Sequence, residues 1–336
     1  MMQAAIYGFE GFALTDAEHS FFRDAVPAGF ILFRRNCENE NQLLRLTDSL
    51  RALSGRDDVP ILIDQEGGRV ARMRPPEWPA FPAAEKFANL YRAAPSSAIE
   101  AVRANARALA LMLRSCGINV NALPLLDVRQ EGATDIIGDR ALGSEPMQVA
   151  ALGRAVLDGM ASAGVVGIIK HLPGHGRALV DSHKELPVVT ASAEELETDL
   201  EPFERLASAP MGMTAHVVYS IWDAERPASL SPTVIRDIIR ERIGFDGWLM
   251  SDDLGMEALQ GDFASRAAGV VAAGCDVALH CSGKMDEMVA VASAVPPMTA
   301  EGHDRLARAM ASTRLETEPL DFAEEISKRD TLLAQV

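Results

Sequence analysis

The chain has 336 residues, 48% of them hydrophobic and 24% charged, a balance that excludes a disordered or fibrous protein and suffices for one large α/β domain or two ordinary ones. Lys and Arg number 32 against 48 Asp and Glu, giving a formal net charge of -16. No basic run of useful length is present, so binding to nucleic acid phosphates is excluded and the acidity reads as a solvated outer surface.

In chain order, short apolar runs alternate with amphipathic stretches. Strands are predicted at AIYGF near residue 5 and at 29–33, followed by a helix over 39–53 with Leu43, Leu44, Leu46, Leu50 and Leu53 near helical spacing. A strand at 60–64, a helix over 101–113, a strand at 118–122 and a helix over 149–160 come next. Then follow strand 166–170, helix 194–206, strand 211–216, helix 232–239, strand 247–251, helix 266–273 and strand 276–280. Helices over 301–314 and 322–333 close the chain. Eight strands with crossover helices predict a single (β/α)8 TIM-type barrel over 1–336, without repeats or a low-complexity linker. A doubly wound sheet is the alternative, but the early GxGxxG turn that favours a dinucleotide fold is missing.

Cys37, Cys116, Cys275 and Cys281 form no CxxC pair, which argues against a zinc ribbon or a disulfide framework and for a reducing compartment. The N-terminus MMQAAIYGFEGFAL lacks a basic segment followed by an apolar core and a small-residue cleavage site, and no apolar run approaches a membrane span. A soluble cytoplasmic protein without a membrane partner is expected. The sequence has no obvious coiled coil, so a monomer is the default.

Barrel chemistry sits at the C-terminal ends of the strands. Five predicted strand ends here deliver ionisable groups: Asp64, Lys170 with His171, His216, Asp252 with Asp253, and His280. The segment KHLPGHGRALVDSHKELP, 170–187, holds three of the seven histidines: His171, His175 and His183. Its spacing does not match HExxH, and Pro173, Gly174 and Gly176 favour a mobile catalytic loop over a metal site. No cofactor is expected. Asp181 stands two residues before His183, close enough for the carboxylate to hold one ring nitrogen while the other faces a substrate, against the alternative of an ordinary Asx turn. Successive strand side chains point to opposite sides, so only one of Asp252 and Asp253 is expected to face the barrel axis, and parity alone does not choose which. In IDQEGGRVARM, 63–73, Asp64 with Arg69 and Arg72 suits either a hydroxyl-rich ligand or a structural ion pair.

IDQEGGRVARM, IIGDRALG, KHLPGHG with its following DSH, and MSDDLGM, in this order, resemble glycoside hydrolase family 3 in its β-N-acetylhexosaminidase branch. The chain resembles in particular the single-barrel cytoplasmic β-N-acetylglucosaminidases of bacterial cell-wall recycling, and the likeness runs from ILFRRN near residue 31 to AAGCDVAL near residue 280. The resemblance implies retaining hydrolysis of terminal, non-reducing β-linked N-acetylglucosamine from small peptidoglycan fragments. It implies Asp252 as nucleophile, His183 as general acid/base with Asp181 orienting it, and Asp64, Arg72, Arg140, Lys170 and His171 as sugar-binding residues. A histidine in place of the second carboxyl group avoids setting two anions against one sugar. Leu172 replaces the usual Phe of KHFPGHG, which weakens the expected aromatic support of the loop, and Gly255 stands where Ser is frequent. Another specificity such as β-glucosidase, phosphorolysis, or a non-catalytic sugar-binding barrel remain as alternatives.

Overall fold

The parallel sheet closes on itself because each apolar run is followed by a helix that carries the chain back across the outside. In the computed structural model, which describes residues 1–311, 313 and 319–335, the strands are β1 (Gln3–Tyr7), β2 (Pro27–Leu32), β3 (Ile61–Ile63), β4 (Val120–Asn121) and β5 (Val166–Leu172), then β6 (Val188–Val189), β7 (Met211–Thr214), β8 (Val218–Tyr219), β9 (Trp248–Asp253) and β10 (Val277–His280). The closed barrel runs β1-β2-β3-β4-β5-β7-β9-β10 and back to β1, parallel at each seam, as the eight predicted strands require.

The two further strands lie outside the barrel. β6 pairs with β8 through Val188 and Val218, so the long loop that leaves β5 is tied down at its far end. β4 is two residues long, and one bridge beyond Pro124, Leu125 to Lys170, continues its line.

The predicted helices recur with shifted ends at Glu40–Ser54, Pro95–Ser115, Pro146–Ser162, Ala193–Arg205 and Phe263–Ala273, and with the predicted ends at Phe322–Leu333. The predicted helix 301–314 is observed as Ala300–Ala311, and its positions 312 and 314 lie outside the described residues. Predicted helix 232–239 winds instead as a π-helix over Val234–Arg242. Asp16–Ala25, Ala84–Ala93 and Met285–Ala294 are helices not predicted from periodicity. The first buries only Glu18 and Phe22 and the last only Met288 and Val291, too few apolar positions to mark a face, although Thr15 and Glu18 form a capping box. Pro95–Ser115 packs against both Pro146–Ser162 and Phe322–Leu333. Gly159 permits the first contact, since a Cβ there would lie 2.6 Å from the Arg103 carbonyl oxygen. Among the described residues no helix is long and apolar enough to cross a membrane, and the four cysteines are free and buried.

Candidate active site

The C-terminal mouth of the barrel holds a cavity of about 260 Å3. Asp64 reaches it from the end of β3, Lys170 and His171 from β5, Asp252 from β9, and Arg72, Arg140 and His183 from loops. Seven of the eight residues to which the resemblance gives a role thus line one space. Asp181 stands behind it: His183 donates from Nδ1 to Asp181 Oδ1 at 3.0 Å, and the His183 amide donates to the same oxygen at 2.9 Å. The His183 side chain is 61% exposed, and its other ring nitrogen has no hydrogen-bond partner among the described residues.

Two expected strand-end groups do not arrive. His280 alternates with Leu279 and Cys281, which face the cavity, and so points away, bonded to Glu287 and Ser282. His216 lies beyond the end of β7 and fully buried; its Nε2 donates to the Asp253 carbonyl, which supports the end of β9 from behind.

A row of alternating charges forms one wall. Arg72 Nη2 contacts Asp64 Oδ2 at 3.0 Å, Lys170 Nζ reaches Asp64 Oδ1 at 3.2 Å and Glu66 Oε1 at 2.7 Å, and Arg140 grips both oxygens of Glu66 at 2.8 Å each. Burial opposes ionisation of Asp64, but Lys170 and Arg72 outweigh it and hold the carboxyl well below the usual carboxylate range. Burial likewise opposes the charge on Lys170, yet Glu66 and Asp64 raise its pKa above the ordinary lysine value. Glu66 was not singled out from sequence, although it follows Asp64 by two residues, a spacing that places both on one side of an extended chain. Removing it would leave Arg140 and Lys170 as buried cations short of a partner. Glu66→Ala is therefore expected to destabilise the fold by about 3–5 kcal/mol, read as a drop in the urea midpoint, with Glu66→Gln losing less.

Asp127 is a second residue that sequence reasoning missed. It is fully buried just past β4 and accepts from the His171 amide at 3.1 Å, the His175 amide at 2.6 Å and His171 Nδ1 at 2.7 Å. Burial would raise its pKa, but His171 above all brings it down to about 2. The carboxylate thereby fixes the ring of His171 and the turn after it. The Lys170–His171 peptide is cis, and both side chains line the cavity.

Strand parity does not decide between Asp252 and Asp253, because β9 is irregular there. Val277 pairs with Met250, but Leu279 pairs with Asp253, so one extra residue of β9 bulges and both aspartates line the cavity. Their environments separate them. Asp253 accepts from the amides of Gly255 at 3.0 Å and Cys281 at 3.2 Å, and burial with the adjacent Asp252 raises its pKa. Among the described residues Asp252 takes only the Asp253 amide, at 2.8 Å, on one oxygen. Burial opposes its charge, but His171 and His216 lead the groups that hold it below the ordinary carboxylate value. One acid is thus occupied with loop amides, while its neighbour presents an ionised oxygen to the cavity. Arg69, the other arginine of its motif, bonds Asp139 at 2.7 Å and the carbonyls of Asp135, Ile136 and Ile137, holding the loop that carries Arg140. Leu172 is fully buried and lies over Gly212, so an aliphatic side chain fills the place expected to be aromatic.

The arrangement suits a neutral, hydroxyl-rich ligand lying between the Asp252 carboxylate and the exposed His183 ring. Comparison with known proteins agrees. Residues 6–310 match the glycosyl hydrolase family 3 N-terminal domain. A beta-hexosaminidase of Bordetella avium is 37% identical over 89% of this chain and 86% of its own, and one of Chromobacterium violaceum is 37% identical over 97% and 90%. Among solved structures, NagZ of Neisseria gonorrhoeae in complex with N-trifluoroacetyl-D-glucosamine is 32% identical, with a TM-score of 0.88 over 99% of this chain and 98% of that one. The chain belongs to glycosyl hydrolase family 3 and is a glycoside hydrolase.

Proposed function

We propose that the protein removes terminal, non-reducing β-linked N-acetylglucosamine from small peptidoglycan fragments, such as N-acetylglucosaminyl-anhydro-N-acetylmuramic acid with or without peptide, with retention of configuration. The observation that carries this reading is the convergence, on one cavity, of the ionised Asp252 and a histidine whose Nδ1 is held by Asp181. The beta-hexosaminidase relatives, and the N-acylated glucosamine bound by the related NagZ, support the sugar.

In this reading the Asp252 carboxylate attacks the anomeric carbon as the bond to the leaving oxygen breaks, and His183 delivers the proton that oxygen needs. A glycosyl-aspartate remains. Water then attacks the same carbon, His183 takes its proton, and the C–O bond to Asp252 breaks to restore the carboxylate. Asp181 keeps the ring in one orientation and stabilises it when charged. Asp64 accepts from sugar hydroxyls while Arg72, Arg140, Lys170 and His171 complete the binding wall. We place the enzyme in the cytoplasm as a monomeric barrel over 1–336, a setting with which four free, buried cysteines are consistent.

Hydrolysis of a chromogenic β-N-acetylglucosaminide beside the matching β-glucoside tests the sugar. We expect the N-acetyl substrate to be preferred by roughly 100-fold or more in kcat/KM, since a site that hydrogen-bonds a substrate group discriminates strongly against an analogue lacking it. Equal rates would overturn the assignment. Appearance of a sugar phosphate in phosphate buffer would replace hydrolysis with phosphorolysis.

A further inference from the structure

His183 is exposed, and among the described residues its only hydrogen-bonded anchor is Asp181, its own neighbour on the loop. The residue between them carries the nearest tertiary contacts of the pair. Ser182 is 2% exposed and lines the cavity, and its hydroxyl lies 3.1 Å from His175 Nε2. Its carbonyl accepts from the Ala258 amide at 3.3 Å, in the segment that follows the strand bearing Asp252.

His175 is itself fixed. Its amide is held by Asp127, whose other bonds grip His171, and the rings of His171 and His175 meet edge to face with centroids 5.6 Å apart. Next to it Gly176 passes so close to Val128 that a Cβ would sit 1.9 Å from the carbonyl oxygen, which pins the loop where it leaves the barrel. His175 is 3% exposed, and its Nδ1 has no hydrogen-bond partner among the described residues. An apolar side chain of similar size would avoid burying that unsatisfied nitrogen, so packing alone does not account for a histidine here.

We propose that His175 and Ser182 form a latch, a pair of positioning residues that ties the His183 loop to the Asp127-centred floor of the sugar site and so sets His183 over the reacting oxygen. The inference rests on the assignment of His183 as acid/base. The latch residues do not exchange protons with substrate. They act through the placement of His183, and displacement of a reacting group by about 1 Å costs on the order of 100-fold.

Ser182→Ala, Ser182→Thr and His183→Ala should be compared with the wild type on an aryl β-N-acetylglucosaminide with a dinitrophenyl leaving group, which needs no proton to depart. If the latch places His183, Ser182→Ala shares the signature of His183→Ala in milder form: kcat falls roughly 10-fold or more, KM falls with it, and mass spectrometry shows sugar retained on the enzyme. Ser182→Thr, which keeps the hydroxyl, recovers most of kcat. Competitive inhibition by N-acetylglucosamine changes little in either variant. A general loss of pocket integrity would instead lower kcat/KM and weaken that inhibition, and this result overturns the latch. A normal kcat in Ser182→Ala, beside a His183→Ala variant that accumulates glycosyl-enzyme, also overturns the latch and leaves the acid/base assignment standing. Failure of His183→Ala to accumulate it removes both.

Discussion

Asp252→Ala is expected to reduce kcat/KM on a β-N-acetylglucosaminide by roughly 10,000-fold or more, since loss of a nucleophile removes the covalent route altogether. The residue is suited to that role by what surrounds it. One oxygen is taken by the Asp253 amide, while the nearby His171 and His216 lead the groups that keep the carboxyl ionised despite its burial. A fluorinated N-acetylglucosaminyl fluoride should label the wild type by one sugar mass on the peptide containing Asp252 and leave Asp252→Ala unlabelled. Asp253→Asn provides the contrast. That side chain is engaged with the Gly255 and Cys281 amides, so its replacement should act first on stability. Full activity in Asp252→Ala, or a label that maps to Asp253, would sink the assignment.

The second large effect is expected at His183. His183→Ala should lower turnover of a substrate with a poor leaving group by roughly 100- to 10,000-fold, the usual range for removing a general acid/base. With a good leaving group the first step survives, the glycosyl-aspartate accumulates, and azide, which needs no deprotonation, should speed its release as a glycosyl azide. Asp181→Asn should shift the same quantities in the same direction by less, because the ring loses its anionic partner at 3.0 Å and keeps its place on the loop. Unchanged kinetics with both leaving groups would exclude His183 from the reaction.

The barrel was legible because its signals are local. Apolar runs such as GFILF and VGIIK, each followed by a helical pattern, mark strands whatever they later touch, and they recur as β2 and β5. Asp64, Lys170, His171 and Asp252 were legible for a related reason: in this fold, the end of a strand is already an address. Arg72 beside Asp64 and His183 beside Asp181 were legible as short-range pairs, and Arg140 came from the family resemblance; each of the three lines the cavity although the chain separates Arg140 from its partner Glu66 by 74 positions. Helices that bury few apolar side chains, such as Met285–Ala294, left no periodic trace to read.

By itself, then, the sequence determined the order of strands and helices, the polar character of the barrel's C-terminal face, and the motifs that bring four distant segments under one family. Only the tertiary structure decided how those groups are used. It placed Glu66 between Arg140 and Lys170 and set Asp127 beneath His171 across 44 positions. It also turned His280 and His216 out of the cavity and let both aspartates of β9 into it through a bulge. The physical reason is that charge state and orientation are properties of an environment. Burial, opposing charge and strand register act between residues far apart in the chain, and they exist only once the barrel has closed.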